Sequence, residues 1–120
     1  MRFKFLILIV MSIVYSSEAK LVNFTLKDLD KKKVNIQDFY KNGPILVNFW
    51  NLACEPCKKE MKFLNQFDQK FEEHGFNVIS VNMDTPRSLS KVKSFIKSKK
   101  YTFTVLSDPR AQLFRKSGGS

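Results

Sequence analysis

The feature that most limits how this chain can fold is an alternation of short apolar runs with longer amphipathic segments. The apolar runs are rich in β-branched and aromatic residues and occupy positions 45–50, 78–83 and 104–106. Between the first two runs, Met61 and Leu64 begin a row of apolar residues at helical spacing. Strands that alternate with helices predict an α/β domain with a central, mostly parallel sheet that helices cover on both faces.

The segments on either side of this pattern extend it. Residues 24–26 and 33–36 have the composition of two short strands, and the polar residues between them suit a turn, so we predict an N-terminal β-hairpin. Thr85 is placed to cap a helix whose first residue is Pro86, and a last helix is expected to start at residues 111–114. Because no strand follows the last apolar run, we expect the sheet edge beyond that run to be open.

Two cysteines lie three residues apart, where the first apolar run gives way to a helical segment. In the first turn of a helix, Cys54 and Cys57 would share one face, so that their sulfurs could close a disulfide. The free N–H groups and the macrodipole at a helix N-terminus favour a thiolate, which makes Cys54 the expected attacking sulfur and Cys57 the resolving one. Pro56 suits the first helical turn, whereas the carboxylate of Glu55 opposes part of the thiolate stabilisation.

Other uses of the two cysteines fit the sequence less well. A structural disulfide usually closes a longer loop, because cross-linking a short loop removes little entropy from the unfolded chain. A zinc site would need further ligands, and only His74 is available. Haem attachment needs a histidine directly after the second cysteine, where Lys58 stands. His74 precedes Gly75 and is expected to be an exposed residue at a helix end. We therefore expect neither a metal nor a cofactor.

The first 19 residues differ in composition from the rest of the chain. A short basic start is followed by an apolar run and then by small polar residues, with Ser17 and Ala19 at the spacing that signal peptidase favours. We predict a signal segment at residues 1–19, either cleaved or retained as an anchor, and one domain at residues 20–120. The net charge of +10 comes from scattered lysines, which favours a solvated basic surface over nucleic-acid binding.

The residues around the cysteines resemble those of a known family. Val-Asn-Phe-Trp at 47–50 and Cys-Glu-Pro-Cys-Lys-Lys-Glu at 54–60 are similar to the corresponding runs of the thioredoxin-like TlpA/ResA family. The similarity continues through residues 76–84 and 101–109, and so covers nearly all of the predicted domain. The resemblance implies a thioredoxin-like fold and an extracytoplasmic bacterial thiol–disulfide oxidoreductase, of a kind often tied to cytochrome c maturation.

The same resemblance implies site residues and partners. Trp50, Glu55 and Pro56 would support the two cysteines, and Glu60 would help to manage protons at the sulfurs unless it is an ordinary exposed helix residue. The implied substrates are disulfides of exported proteins such as apocytochrome c, and the implied electron source is a membrane thiol donor. The protein would then act in the periplasm or cell envelope and, if complete, as a monomer.

The chain also departs from the family pattern. Ala53 precedes the first cysteine, where members commonly have tryptophan. The family's cis-proline loop and two further antiparallel strands have no counterpart after Phe114, so we expect a truncated or interrupted domain that is marginally stable or prone to aggregation. Two alternatives stay open. One is a peroxiredoxin-type peroxidase, which places threonine where this chain has Asn51, and the other is a non-catalytic binding module of the same fold.

Overall fold

The computed structural model describes residues 23–41 and 43–118. Within these residues, strands alternate with helices as the apolar pattern predicts, and short 3-10 turns occupy Glu72–His74 and Pro86–Ser88. The predicted signal segment at residues 1–19 lies outside the described residues. In chain order the elements are β1 Thr25–Asp28, β2 Lys33–Asn35, α1 Gln37–Tyr40, β3 Ile45–Trp50, α2 Glu55–Phe71, β4 Asn77–Asn82, α3 Leu89–Lys99, β5 Thr104–Ser107 and α4 Gln112–Lys116.

The described strands form one mixed sheet in the order β2-β1-β5-β4-β3. β3, β4 and β5 run parallel, and the register places Leu46 beside Val78 and Ile79 beside Thr104. β1 runs antiparallel to β2 and to β5, so the N-terminal hairpin joins the sheet through β1. The predicted α/β architecture, with a parallel core and an N-terminal hairpin, is therefore confirmed.

The open edge of the sheet does not lie where the sequence pattern placed it. The expectation of an open edge beyond the strand at 104–106 is wrong, because β5 lies between β4 and β1. Among the described strands, the edges are β2 and β3. The apolar composition of residues 45–50 favours a fully buried strand, and this expectation is also wrong in part, since only Trp50 of β3 is buried. The physical reason is that the chain crosses from β4 to β5 on the side away from β3.

Apolar side chains pack on both faces of the sheet. Burying one large apolar side chain stabilises a fold by about 1.5–3 kcal/mol, so the two packed layers hold the sheet between its helices. The face under α2 and α3 buries Trp50, Met61, Leu64, Val78, Val92, Phe103 and Val105. The face that contacts α1 and α4 buries Leu26, Ile36, Ile79, Val81, Leu106 and Leu113.

The start of α3 differs from the prediction. Pro86 opens a 3-10 turn, and the α-helix itself begins three residues later, at Leu89. Thr85 precedes that turn in an extended conformation, but its side chain makes no capping hydrogen bond. The prediction that Pro86 is the first residue of an α-helix is therefore wrong, although a helix does follow and buries Val92 in the core.

Candidate active site

The two cysteines lie at the junction between β3 and α2. Cys54 is the N-cap residue of α2 with an extended backbone (φ −87°, ψ 93°), and Cys57 lies in the first helical turn. Their sulfurs are joined in a disulfide, and their Cα atoms are 5.3 Å apart. Cys57 packs against the core under α2. This is the strand-to-helix placement that the sequence predicts, and it puts Cys54 beside the unpaired N–H groups of the first turn.

Backbone hydrogen bonds hold the loop between β3 and Cys54 in place. The Trp50 carbonyl accepts a hydrogen bond from the Met83 N–H at 2.9 Å, which extends the pairing of β3 with β4 past the end of the strand. The Cys54 N–H donates to the Asn51 carbonyl at 3.1 Å, and the Cys54 carbonyl accepts from the Lys58 N–H at 3.1 Å. Cys54 therefore belongs both to a tight turn and to the first turn of α2.

Asp84 fixes the middle of the same loop from outside it. Its Oδ2 accepts hydrogen bonds from the Leu52 N–H at 2.9 Å and from the side-chain amide of Asn82 at 2.8 Å. Asn82 is buried, and its Oδ1 accepts in turn from the Asp84 N–H at 3.1 Å. The sequence prediction gave neither residue a site role, although both come at the end of β4, where side chains of neighbouring parallel strands meet at one edge of the sheet.

Glu55 and Lys58 form an ion pair beside the disulfide. The Lys58 ammonium donates to Glu55 Oε1 at 2.8 Å and lies 5.7 Å from the centre of the Phe95 ring. The hydrogen bond and the positive charge of Lys58 lower the pKa of Glu55 below its ordinary value, with a smaller contribution from Lys59. Lys58 therefore offsets much of the negative charge that the sequence interpretation assigned to Glu55.

The remaining predicted site residues are Trp50, Pro56 and Glu60, and they differ in burial. Trp50 is 1% exposed, packs 5.5 Å from Phe95 and has no hydrogen-bond partner for its indole N–H among the described residues. Pro56 lies within the first turn of α2, as predicted. Glu60 is exposed on α2, three residues beyond Cys57. Between residues 23 and 118, leaving out residue 42, the structure shows no cluster of His, Cys, Asp or Glu that could hold a metal ion.

Comparison with known sequences places these residues in a family. The sequence model described as the AhpC/TSA family matches residues 18–119. The thiol-disulfide oxidoreductase ResA of Bacillus thuringiensis subsp. konkukian (strain 97-27) is 33% identical over 96 residues, which make up 80% of this chain and 54% of that protein. The chain therefore spans about half the length of this relative.

Solved structures share the fold. The thioredoxin domain of a thiol-disulfide oxidoreductase from Bacteroides vulgatus matches with a TM-score of 0.73 and 23% identity, covering 89% of this chain and 76% of that one. Peroxidoxin BcpB from Mycobacterium tuberculosis matches with a TM-score of 0.70 and 18% identity, covering 82% of this chain and 62% of that one. Both likenesses show the fold alone, and they confirm the predicted thioredoxin-like architecture. The match of the family model over residues 18–119 shows that the chain belongs to the AhpC/TSA family, and within that family it is similar to the ResA thiol–disulfide oxidoreductases.

Proposed function

We propose that this protein is a thiol–disulfide oxidoreductase in which Cys54 and Cys57 cycle between a dithiol and a disulfide. The observation that carries this proposal is the bonded pair at the N-cap and first turn of α2. A helix N-terminus favours the thiolate over the thiol, and the thiolate is the form that attacks disulfides. The similarity to ResA proteins supports the same chemistry.

The proposed reaction transfers two electrons to a substrate disulfide. The Cys54 thiolate attacks one substrate sulfur, which forms a mixed disulfide and releases the other substrate sulfur as a thiolate that takes a proton from water. The Cys57 sulfur, after losing its proton, attacks the Cys54 sulfur and releases the second substrate thiolate. The substrate ends as a dithiol, and the protein ends with the Cys54–Cys57 disulfide. A dithiol donor must then return two electrons to this disulfide.

The proposed direction is reduction of disulfides in exported proteins, with apocytochrome c as the leading substrate class and a membrane thiol protein as the electron donor. Support comes from the resemblance to ResA proteins and from the signal-like composition of residues 1–19. The charge of Glu55 adds little support, because Lys58 offsets it. Extracytoplasmic placement is part of this proposal. The helices of residues 23–41 and 43–118 are all too short or too polar to cross a bilayer.

Two measurements test the assignment of the sulfurs. After reduction, rapid alkylation followed by mass mapping is expected to label Cys54 faster than Cys57, because only Cys54 lies at the N-cap. In a turnover assay with insulin as the disulfide substrate, Cys54→Ser is expected to abolish reduction. Cys57→Ser is expected to accumulate a mixed disulfide through Cys54. Equal labelling of the two cysteines, or turnover that survives Cys54→Ser, would overturn the assignment.

A peroxidase arm separates the proposal from its nearest enzymatic alternative. In this arm, hydrogen peroxide replaces insulin as the substrate, and the dithiol that re-reduces the protein is the same in both assays. We expect slow consumption of peroxide and rapid reduction of the protein disulfide, since Asn51 stands where peroxiredoxin-type enzymes place threonine. Rapid peroxide turnover without protein-disulfide reduction would favour the peroxidase.

A further inference from the structure

We propose that the groove between α2 and α3, beside the disulfide, binds an acidic segment of the polypeptide that carries the substrate disulfide. This inference rests on the proposed function and adds a substrate class to it. The segment would carry carboxylates close to its cysteine and one aromatic or large aliphatic side chain. The groove has a volume of about 480 Å³, and its lining includes Glu55 and Lys58 from the first turns of α2.

The position of the groove makes it a path for substrate that is bound at the cysteines. Glu55 directly follows Cys54, and Lys58 directly follows Cys57, so the groove starts within one helical turn of both sulfurs. From there the lining continues along α2 through Lys62 and reaches Lys99 at the end of α3. A polypeptide whose disulfide meets Cys54 would therefore lie close to the start of the groove.

Aromatic rings supply the apolar part of the groove. Phe95 and Tyr101 line it, with ring centroids 6.3 Å apart, and Phe95 packs in turn on the buried Trp50. Partial burial raises the pKa of Tyr101 above its ordinary value. Phe63 lines the same groove and is 67% exposed. Covering an aromatic surface of this kind with an apolar side chain lowers the free energy of the complex.

Lysines give the groove its charge preference. Lys58 already has a partner in Glu55, so its charge is largely offset. Lys59, Lys62 and Lys99 also line the groove, and none of them forms an ion pair with any residue in the described part of the chain. These three cations converge from two helices onto one aromatic surface. The complementary ligand is anionic and partly apolar, which describes an acidic peptide better than a basic or a purely polar one.

The dimensions of α2 set the length of the segment. Lys62 lies seven positions after Glu55, which corresponds to a rise of about 10 Å along the helix at about 1.5 Å per residue. An extended peptide covers about 10 Å with roughly three residues. The acidic residues that reach Lys62 and Lys99 are therefore expected within about three or four positions of the substrate cysteine.

The experiment compares two matched peptides in reaction with the reduced protein. Each peptide carries one cysteine capped as a mixed disulfide with 2-mercaptoethanol, followed by two glutamates and a phenylalanine, or by two glutamines and a phenylalanine. We expect the acidic peptide to react about tenfold faster at low ionic strength, because charge complementarity raises association rates. The preference is expected to shrink at about 1 M salt, where the screening length falls to about 3 Å.

Two double variants test whether the lysines of the groove cause the preference for the acidic peptide. Lys62→Glu with Lys99→Glu is expected to reduce the preference for the acidic peptide to about threefold or less, since it reverses two of the unpaired charges of the groove. Lys91→Glu with Lys97→Glu makes the same change of net charge at exposed positions that do not line the groove, and is expected to keep the preference. If both double variants lose the preference equally, overall charge causes it and the groove does not.

A small neutral substrate separates failure of this inference from failure of the proposed function. The reduced wild-type protein and both double variants are each measured with bis(2-hydroxyethyl) disulfide, which has no segment to place in the groove, and the Lys91→Glu, Lys97→Glu variant is expected to react at the wild-type rate. If that reaction proceeds but the two peptides react equally, the groove does not select acidic segments and the inference is wrong. If that reaction does not proceed with any of the three proteins, the proposed function itself fails.

Discussion

One carboxylate adds to the backbone hydrogen bonds that hold the loop before Cys54. Asp84 accepts the Leu52 N–H and the Asn82 amide, so Asp84→Ala leaves two donors without their acceptor. We expect the rate of reaction between the reduced protein and bis(2-hydroxyethyl) disulfide to fall about tenfold, because losing a hydrogen bond to a charged group costs about 1.5–3 kcal/mol and part of that loss would displace the loop.

The conservative substitution provides the control for this prediction. Asp84→Asn keeps an oxygen that can accept the Leu52 N–H, and it should retain most of the rate. Circular dichroism of each variant checks that the fold is intact. An unchanged rate in a folded Asp84→Ala protein would show that the carboxylate does not position the loop.

The proton-managing role predicted for Glu60 can be tested through the pH dependence of the cysteine thiols. Glu60 is exposed and lies three residues beyond Cys57, a rise of about 4.5 Å along α2. A nearby carboxylate disfavours a thiolate, so Glu60→Gln is expected to move the pH profile of thiol alkylation toward lower pH by less than about one unit. Glu72→Gln, at the exposed far end of the helix, is the matched control. Identical profiles for all three proteins would make Glu60 an ordinary surface residue.

At the scale of secondary-structure elements, buried aspartates join helices to strands. Asp108 is 2% exposed, and its two oxygens accept the N–H groups of Gln112 and Leu113 at 2.9 Å each, at the start of α4. Its own N–H donates to the Asn82 carbonyl at 2.8 Å, which ties the same junction to β4. Ala111 at the N-cap of α4 has no side chain that could accept these N–H groups, and Asp108 accepts them instead.

Asp108→Ala is expected to lower the free energy of unfolding by about 2–3 kcal/mol, because the part-buried N–H of Gln112 and the buried N–H of Leu113 lose a charged acceptor. Asp38→Ala is the control, since Asp38 is exposed and its ion pair with Lys41 is long at 4.0 Å. Its effect should stay within about 0.5 kcal/mol. Both changes in the free energy of unfolding are measured from the midpoints of denaturant unfolding curves that share the same slope. A loss of less than about 0.5 kcal/mol for Asp108→Ala would contradict this account of the junction.

The elements were predictable where local composition decides the structure. The bounds of β3 follow from a dense apolar run, and the start of α2 follows from Pro56 within its first turn. The disulfide geometry follows from the spacing of Cys54 and Cys57 at that start. In these cases a few neighbouring residues contain all the physical information that the prediction needs.

The rest was not predictable, because it depends on where the chain crosses over in space. Nothing in the composition of residues 104–106 indicates that β5 lies inside the sheet and that β3 lies at its edge. The groove likewise joins Lys62 to Lys99, which the sequence separates by 37 positions and presents as ordinary solvated lysines. The contact between Asp84 and Leu52 also needs two neighbouring strands to be in register.

For the whole molecule, one side of the described domain is left uncovered. The carbonyls of Pro44 and Trp50 point toward the β4 side and accept hydrogen bonds there. Because backbone N–H and C=O groups alternate in direction along a strand, those of the odd-numbered residues between Pro44 and Trp50 point toward the open edge. The apolar surface of α2 is also uncovered in part, since Phe63 is 67% exposed and Phe67 is 38% exposed. Exposed strand edges and apolar patches promote association.

We therefore expect a protein comprising residues 20–120 to aggregate at moderate concentration. Phe63→Lys should raise the concentration at which light scattering appears, with little change in stability, because Phe63 is mostly exposed. Ser90→Lys adds the same charge at an exposed position of α3 and should have a smaller effect. A wild-type protein that stays monomeric and melts cooperatively at high concentration would contradict this expectation.

The central claim is that Cys54 and Cys57 form a reducing dithiol–disulfide couple, and a redox titration tests it most directly. The protein is equilibrated with thiol–disulfide buffers over a range of potentials, trapped with a maleimide and weighed by mass spectrometry. We predict one two-electron transition in which the ratio of forms changes tenfold per about 30 mV, with a midpoint well below about −120 mV. A midpoint near about −120 mV, or no transition at all, would contradict the account.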